Sequence, residues 1–355
     1  MIRAKHIPEL DGLRGLAVLL VVWVHVPTNL DGYPVWLGAV SWLLVPGNLG
    51  VELFFVLSGF LITRILSAEK AAAAPVRWFL LRRMLRIFPI YYLLLAVMSF
   101  GRPADEIAWC AAYLSNVSGL MLGVPSGPLE HTWSLCIEEH FYLGWPLVVA
   151  WCSAAARRRV LLYFALPASL VTMAGAVILA PDSGVQFVDR FTVCRFLGLA
   201  VGALLAEFGA HAGRSPRWAL WVPLIVVAHP HLLFLFGPLW CGASEPWLPL
   251  PWAPVVWRLH TTALCALVVI AAIRSGAASG WRGLFGRALR ARWLCGIGRI
   301  SYALYLYHLP IFFWLAGGGT LGDYGLAILV SFGAAIASYF LIERPLQRFG
   351  SRLRV

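Results

Sequence analysis

Long apolar runs alternate with short polar segments along the whole chain. A helix needs about twenty apolar residues to cross the roughly 30 Å hydrocarbon core of a bilayer, so each run predicts a transmembrane helix. The predicted spans lie near residues 10–28, 49–67, 78–100, 133–152, 160–180, 191–209, 218–237, 256–273, 293–316 and 324–342. The pattern therefore predicts an all-α, polytopic integral membrane helix bundle of about ten helices, which forms a single domain over residues 1–355.

Composition supports a membrane protein, and in a membrane protein the positive net charge has a different interpretation than in a soluble one. Hydrophobic residues make up 61% of the chain and charged residues 12%, whereas soluble domains are about half apolar and a quarter charged. The formal net charge is +12, which in a soluble protein would suggest a nucleic-acid partner. Here the basic residues form short clusters between apolar runs, so we predict membrane lipid and no nucleic acid as a partner. The first run contains Arg14 and is too long for a cleavable signal peptide.

Basic clusters follow the even-numbered predicted spans, while the opposite loops contain almost no Lys or Arg. Because cytoplasmic loops are enriched in Lys and Arg, this asymmetry predicts two cytoplasmic termini in a multi-pass protein of the cell inner (plasma) membrane. The segment 105–124 is apolar but is interrupted by Ser115, Asn116 and Ser118. A full span there would invert every downstream loop, so we predict a re-entrant or interfacial segment on the outer side.

Two ionisable residues, Arg14 and His25, lie in the first predicted span. Eleven residues close three helical turns almost completely, so both side chains fall on nearly the same face, roughly 16 Å apart along the axis. Ionisable residues inside a membrane are costly and usually functional. We interpret this face as one wall of a channel that holds an elongated anionic ligand and presents its far end to His25. Alternatively, His25 is a core histidine that bonds a backbone carbonyl.

A row of arginines opens the third predicted span. Arg83 and Arg86 are spaced i, i+3 and therefore point to one side of the helix. Planar guanidinium groups bind phosphate oxygens two at a time, so this pair suits a phosphate-rich ligand. An anchor to lipid headgroups explains the same residues equally well.

The fourth predicted span contains the neighbouring carboxylates Glu138 and Glu139. Glu138 shares a polar stripe with Ser134 and Tyr142 at i−4 and i+4, whereas Glu139 points about 100° away. We therefore expect Glu138, rather than Glu139, to face the bundle interior. A structural ion pair of Glu138 with Arg195 or Arg14 remains the alternative.

Three more polar residues in predicted spans are candidates for acceptor binding or a supporting role: Glu52, Arg195 and His308. Glu52 precedes the helix-packing pair Ser58-Gly59, so an interior hydrogen-bonding role is as open as a catalytic one. His308 continues the stripe of Ser301 and Tyr305. The seven cysteines are scattered and include no CxxC pair, so we expect small buried residues rather than disulfides or metal ligands.

Several long motifs, in order along the chain, resemble the membrane-bound acyltransferase family 3, the bacterial O-acyltransferases of cell-surface glycans. The opening IPELDGLRGLAVLLVVWVHV matches an Arg, ten residues, then His. FLLRRMLRIFPIYY places Arg83 and Arg86 at the paired-arginine positions, and TWSLCIEEHFYLGWP places Glu138 at the family glutamate. The other matching segments are GVELFFVLSGFLIT, CRFLGLAVGALLA, GRISYALYLYHLPI and LIERPL. His140 departs from the pattern, since many relatives have Gln there.

The resemblance implies transfer of an acyl group, most simply acetyl, from acyl-coenzyme A to a hydroxyl of a cell-surface glycan or glycolipid. The coenzyme A phosphates would meet Arg83, Arg86 and Arg14, and the thioester would lie near His25. We expect His25 to be the general base, with Glu138 orienting it or stabilising its charged form, and a covalent acyl-His intermediate as the alternative. Some relatives carry an additional helix and a periplasmic hydrolase-like domain that completes acyl transfer. The given sequence stops after the tenth predicted span, so we expect donor and acceptor to meet within one membrane domain here.

The sequence leaves alternatives for the acceptor and for the class of function. A small cytoplasmic acceptor such as an antibiotic is compatible with the same motifs. A transporter would also place charges inside a bundle, but we find no internal repeat. Aromatic residues in the predicted outer loops can stack on sugar rings, although aromatic belts at the membrane interface give the same enrichment. These residues are Trp36, Trp42, Trp240, Trp247 and Trp252.

Overall fold

The computed structural model describes residues 6–26, 47–121, 127–180, 183–209, 252–275 and 281–352. Every regular element within these ranges is helical, and no strand occurs among them. The all-α prediction is therefore confirmed for this part of the chain. The seventh predicted span, near 218–237, lies outside the described residues.

The helices follow one another in the order α1 to α15. They are α1 (Pro8–Val24), α2 (Gly47–Ala71), α3 (Val76–Met98), α4 (Ala104–Ala111), α5 (Ser115–Met121), α6 (Thr132–Trp151), α7 (Ala154–Val160), α8 (Leu166–Leu179), α9 (Gly184–Arg190), α10 (Thr192–Glu207), α11 (Ala253–Ser275), α12 (Trp281–Leu289), α13 (Arg292–Leu315), α14 (Leu321–Ser338) and α15 (Arg344–Arg352). A 3₁₀ turn at Gly127–Leu129 precedes α6. The start of α14 is set by a capping box, in which the Thr320 hydroxyl accepts from the Asp323 N–H at 3.2 Å.

Helices cover each of the other predicted spans. Four of them, Leu49–Ala71, Ala154–Leu179, Pro254–Ser275 and Leu321–Arg352, are long and apolar enough to cross a membrane. Two of these, Ala154–Leu179 and Leu321–Arg352, leave most of their apolar window unburied. Such exposed apolar faces are unfavourable in water and suited to lipid, which supports a membrane protein. The count of ten spans and the cytoplasmic placement of the termini stay predictions.

Two π turns join consecutive helices. The turn at Leu161–Ala165 joins α7 to α8, and the turn at Tyr339–Glu343 joins α14 to α15. A proline follows each turn by two residues, at Pro167 and Pro345. Proline has no N–H for the carbonyl four residues earlier, and in both cases that carbonyl lies inside the π turn. The same local chemistry therefore explains both distortions.

The segment 105–124 does not form one long helix. Its described part folds into α4 and α5, separated by residues 112–114, with Tyr113 in the left-handed region at φ 55°. An eight-residue helix is only about 12 Å long, too short to cross a bilayer. This break agrees with the predicted re-entrant or interfacial segment, while its side of the membrane stays a prediction.

The chain divides into two compact units. Of the described residues, those within His6–Leu61 and Arg158–Gly298 form the α1 unit, and those within Ile62–Arg157 and Arg299–Val355 form the α3 unit. Among the described cysteines no disulfide forms, and all but Cys152 are buried.

In the α1 unit, helices α2 and α10 approach each other through glycines. A Cβ added at Gly59 would collide with the Leu199 carbonyl, and one added at Gly202 would collide with the Val56 carbonyl. Small residues let helix backbones come this close, which is how membrane helices gain packing contacts. The prediction that Ser58-Gly59 is a helix-packing element is confirmed.

In the α3 unit, Lys70 closes the end of α6. Its Nζ donates to the carbonyls of Val149, Ala150 and Cys152 at 2.8, 2.9 and 2.8 Å. The last carbonyls of a helix lack intrahelical donors and carry a partial negative charge, so a lysine there is favourable. Helix α6, which carries Glu138, is thereby held at its C-terminal end.

Candidate functional site

The imidazole of His25 lies at the C-terminal end of α1, one residue beyond the helix, and is half-buried. Its Nδ1 is 2.8 Å from the Val21 carbonyl oxygen, one of the terminal carbonyls that a helix leaves without a donor. A carbonyl can only accept, so Nδ1 donates this bond, and in the neutral form of the ring the lone pair is on Nε2. The alternative of a carbonyl-bonded histidine therefore occurs, and it leaves Nε2 as the basic nitrogen.

Helix α2 supports this end of α1 within the α1 unit. A Cβ added at Gly50 would lie 2.5 Å from the Ala17 carbonyl oxygen and 2.9 Å from the Val21 Cγ2. Val21 is the residue whose carbonyl holds the His25 ring. Arg14 lies three turns earlier on the same helix and is half-buried.

Arg83 and Glu138 are brought together in the α3 unit by helices α3 and α6. The Arg83 guanidinium carbon lies 5.4 Å from the centre of the Tyr142 ring, and the Tyr142 hydroxyl donates to Glu138 Oε2 at 3.1 Å. Arg83 also interacts electrostatically with Arg86, Glu138 and Glu139. Arg83 thus has a second cation and two carboxylates in its electrostatic surroundings. The predicted placement of Arg83 and Arg86 on one side of α3 stays a prediction.

The expectation that Glu138 rather than Glu139 faces the interior is wrong. Glu139 is buried, whereas Glu138 is half-buried. The physical reason is that α6 packs against both α3 and α5, so more than one of its faces is covered. His140 also has a partner on that side, because its Nε2 is 3.0 Å from the Tyr113 carbonyl oxygen.

Glu52 is the centre of a buried polar network in the α1 unit. Its Oε2 lies 3.2 Å from Arg195 Nη1 and 3.0 Å from Arg258 Nη1, and its Oε1 accepts from the Thr262 hydroxyl at 2.6 Å. Arg258 also pairs with Asp189. The two guanidinium groups are thus balanced by two carboxylates, and the network joins α2, α9, α10 and α11. Arg195 pairs with Glu52, and an ion pair of Glu138 with Arg195 or Arg14 stays an alternative from the sequence.

His308 is fully buried in α13 and belongs to a small cluster with His131, Tyr305 and Ser134. Its Nδ1 is 2.6 Å from the Tyr305 carbonyl oxygen, and its ring centre is 5.3 Å from that of His131. The Tyr305 hydroxyl donates to the His131 carbonyl at 3.0 Å. The acceptor-binding or supporting role of His308 stays a prediction.

Several residues that contact the candidates in the structure were not predicted from the sequence. Arg258, Asp189 and Thr262 surround Glu52, and His131 contacts His308. Arg258 could have been found, because it is an ionisable residue inside the predicted span 256–273. Predicted candidates belong to both units, Arg14 and His25 to the α1 unit and Arg83, Arg86 and Glu138 to the α3 unit. The channel that would join them stays a prediction.

The comparison that decides the family covers nearly the whole chain. A family model described as an acyltransferase domain, of type 3, matches residues 7–344. The chain belongs to the acyltransferase 3 family. The match includes every candidate residue, from Arg14 to His308.

Relatives of the acyltransferase 3 chain are known by name. It is 28% identical to O-acetyltransferase OatA of Staphylococcus aureus over 99% of this chain and 58% of the relative. It is 31% identical to peptidoglycan O-acetyltransferase OatA of Listeria monocytogenes over 86% of this chain and 49% of the relative. A putative peptidoglycan O-acetyltransferase, YrhL of Bacillus subtilis, is 29% identical over 98% of this chain and 56% of the relative.

The chain thus spans between about half and three-fifths of the length of these curated relatives. No solved structure matches it. Within the described residues, no cluster of His, Cys, Asp and Glu side chains could hold a metal ion.

Proposed function

We propose that this protein is an integral inner-membrane O-acyltransferase that moves an acetyl group from acetyl-coenzyme A to a hydroxyl of a cell-wall glycan. The observation that carries the proposal is the His25 ring, whose Nδ1 donates to the Val21 carbonyl and whose Nε2 bears the lone pair. A general base for an alcohol needs an imidazole that is held in one orientation and whose second nitrogen can take a proton. The names of the relatives support acetyl as the group, since all three are O-acetyltransferases by name. A glycan acceptor is supported by the peptidoglycan O-acetyltransferase of Listeria monocytogenes and the putative one of Bacillus subtilis.

In the proposed reaction, His25 Nε2 takes the proton of the acceptor hydroxyl as its oxygen attacks the thioester carbonyl carbon. The carbon–sulfur bond then breaks, and the imidazolium returns the proton to the departing coenzyme A thiolate. No proton is gained or lost overall, so one imidazole can serve both halves. An acetyl-imidazole intermediate on the same nitrogen is the alternative course.

The donor would be held by arginines. We propose that Arg83 and Arg86, with Arg14, bind the phosphates of coenzyme A, because guanidinium groups match phosphate oxygens in pairs. The Tyr142 ring and the nearby Glu138 carboxylate would fix the Arg83 fork in one orientation. Glu138 would assist the reaction by this route or, as first expected, by stabilising the charged form of His25.

The test is release of coenzyme A thiol and transfer of radiolabelled acetyl by the purified chain in lipid nanodiscs. The acceptor is tetra-N-acetylchitotetraose, a soluble model of an N-acetylated glycan. His25→Asn keeps an N–H that can reach the Val21 carbonyl but lacks the second nitrogen, so it should fold and lose transfer by at least about a hundredfold. His25→Gln is the companion variant, in which no nitrogen stands at the place of Nδ1.

Wild-type rates in His25→Asn would overturn the base assignment. Label trapped on His25 after incubation with donor alone would replace general-base catalysis by the acyl-imidazole course. Absence of thiol release with every hydroxyl acceptor would contradict the proposed function itself.

A further inference from the structure

A cavity of about 290 Å³ opens in the α3 unit, where the C-terminal ends of α3 and α13 meet the 3₁₀ turn. Its walls include Val97, Met98, Arg102, Gly127, Phe313 and Trp314. One wall is therefore aromatic and another cationic. The volume is close to the lower end of typical small-molecule sites, so it suits one ring-sized group.

The cationic wall is held in a fixed position. Arg102 donates from Nε to Glu106 Oε2 at 2.8 Å, and its Nη2 lies 2.6 Å from the same oxygen. The Glu106 side chain is buried, with 4% of its surface exposed, whereas 26% of the Arg102 side chain is exposed. A buried carboxylate therefore fixes the guanidinium, while about a quarter of the Arg102 side chain remains exposed.

Gly127 makes room for this guanidinium. It adopts the left-handed φ of 40°, and a Cβ at this position would lie 3.2 Å from Arg102 Nη2. Glycine is the residue that adopts this conformation without strain. The turn thus approaches the guanidinium closely, and a side chain at this position would crowd Arg102.

The aromatic wall is accessible. Phe313 and Trp314 are 55% and 58% exposed and stand at the end of α13. A pyranose ring has an apolar C–H face that packs on an indole and polar groups around its edge that accept from a guanidinium. An indole beside a fixed, many-donor fork matches both features.

Arg102 is an isolated basic residue in a segment that otherwise contains no Lys or Arg. It is the only Lys or Arg between residues 101 and 131, on the side of the chain that is predicted to be the outer one. The positive-inside rule explains the cytoplasmic arginines and does not explain this residue. The ion pair with the buried Glu106 balances its charge, and the exposed part of Arg102 lies where a ligand from the predicted outer side would arrive.

We propose that this cavity binds one N-acetylated sugar ring of the acceptor glycan, with Trp314 packed on the ring face and Arg102 donating to its hydroxyl or acetamide oxygens. The inference rests on the proposed function, since it assigns the acceptor subsite of that enzyme. It adds residues for acceptor binding that lie outside the family motifs quoted above.

The first experiment measures binding without catalysis. Tetra-N-acetylchitotetraose is titrated into the full-length protein in nanodiscs with no donor present. Trp314→Ala and Arg102→Lys, which keeps the charge but loses the fork, should each weaken binding by roughly 5- to 30-fold. Trp293→Ala is the matched control, because it removes a 64%-exposed tryptophan from the other end of the same helix and should leave binding unchanged.

The second experiment measures transfer kinetics in the same variants. Trp314→Ala should raise KM for the oligosaccharide about tenfold and leave KM for acetyl-coenzyme A unchanged. If wild-type protein binds the oligosaccharide in a Trp314-dependent way but transfers no acetyl group, the cavity assignment stands and the proposed function fails. If transfer proceeds and Trp314→Ala leaves the acceptor KM unchanged, the inference is overturned while the function stands.

A bound phospholipid is the competing occupant. Native mass spectrometry of protein from phosphatidylglycerol nanodiscs counts the lipids retained by each variant. Loss of one lipid in Trp314→Ala with unchanged oligosaccharide binding would overturn the inference, as would the absence of any oligosaccharide binding by the wild type.

Discussion

The imidazole Nε2 of His131 lies 3.0 Å from the Leu306 carbonyl oxygen, the carbonyl that Pro310 leaves without a helical donor. In a regular helix the N–H of residue 310 would bond this oxygen, but proline has no N–H. A side chain that precedes α6 thus replaces a missing backbone bond inside α13. The contact also explains how α13 contains a proline without a break in the helix.

His131→Phe should lower the free energy of unfolding by about 1–3 kcal/mol, because it keeps a ring in the cluster but leaves a buried carbonyl unsatisfied. In Pro310→Ala the new N–H can serve that carbonyl, so the double variant should lose much less than the sum of the two single changes. Denaturant titrations of the four proteins in one detergent supply the double-mutant cycle. Additive costs would contradict the proposed bond replacement.

The Glu52 network should be important for stability. Glu52→Gln leaves two buried guanidinium groups with less compensation and should destabilise the protein by about 3–5 kcal/mol, as when one partner of a buried ion pair is removed. Thr262→Val, which removes one hydrogen bond to the same carboxylate, should cost about 1 kcal/mol. Thermal unfolding in detergent compares them, and equal costs for the two variants would argue against a charge network at Glu52.

The glycine contact between α2 and α10 yields a matched pair of variants. Gly202→Ala places a methyl group against the Val56 carbonyl and 2.9 Å from the Phe60 nitrogen, so it should cost about 1–3 kcal/mol of stability. Gly175→Ala in α8 meets nothing within 4 Å and should be neutral or stabilising by up to about 1 kcal/mol. Thermal midpoints in the same detergent measure both, and a tolerated Gly202→Ala would mean that the helices are packed less tightly.

The proposed donor site predicts a kinetic signature. Arg83→Lys keeps the charge but loses the planar fork, so KM for acetyl-coenzyme A should rise roughly tenfold. Tyr142→Phe removes only the 3.1 Å bond to Glu138 and should have a smaller effect in the same direction. Steady-state kinetics with the donor varied give both values. An unchanged donor KM in Arg83→Lys would place the phosphates elsewhere.

Hydropathy alone located the described helices to within a few residues. This is possible because the length of an apolar run follows from the sequence and is matched to the thickness of the bilayer. It also indicated the break near Ser115 and Asn116, where polar side chains interrupt the apolar run. It failed on α6, since assigning Glu138 rather than Glu139 to the interior assumed a single covered face. Helices α3 and α5 cover α6 on more than one side, which no periodicity argument on α6 itself can reveal.

The sequence by itself determined that this is a helical membrane protein of the acyltransferase 3 family, with an Arg and a His eleven residues apart at its first predicted span. The length of an apolar run and the order of the motifs can be read along the sequence, so neither requires knowledge of the fold. Only the tertiary structure decided which charges meet. Glu52 and Arg258 are 206 residues apart, and packing of α2 against α10 and α11 makes them partners. It likewise gave the His25 ring a definite proton position, because a hydrogen bond depends on where the last turn of α1 leaves its carbonyls.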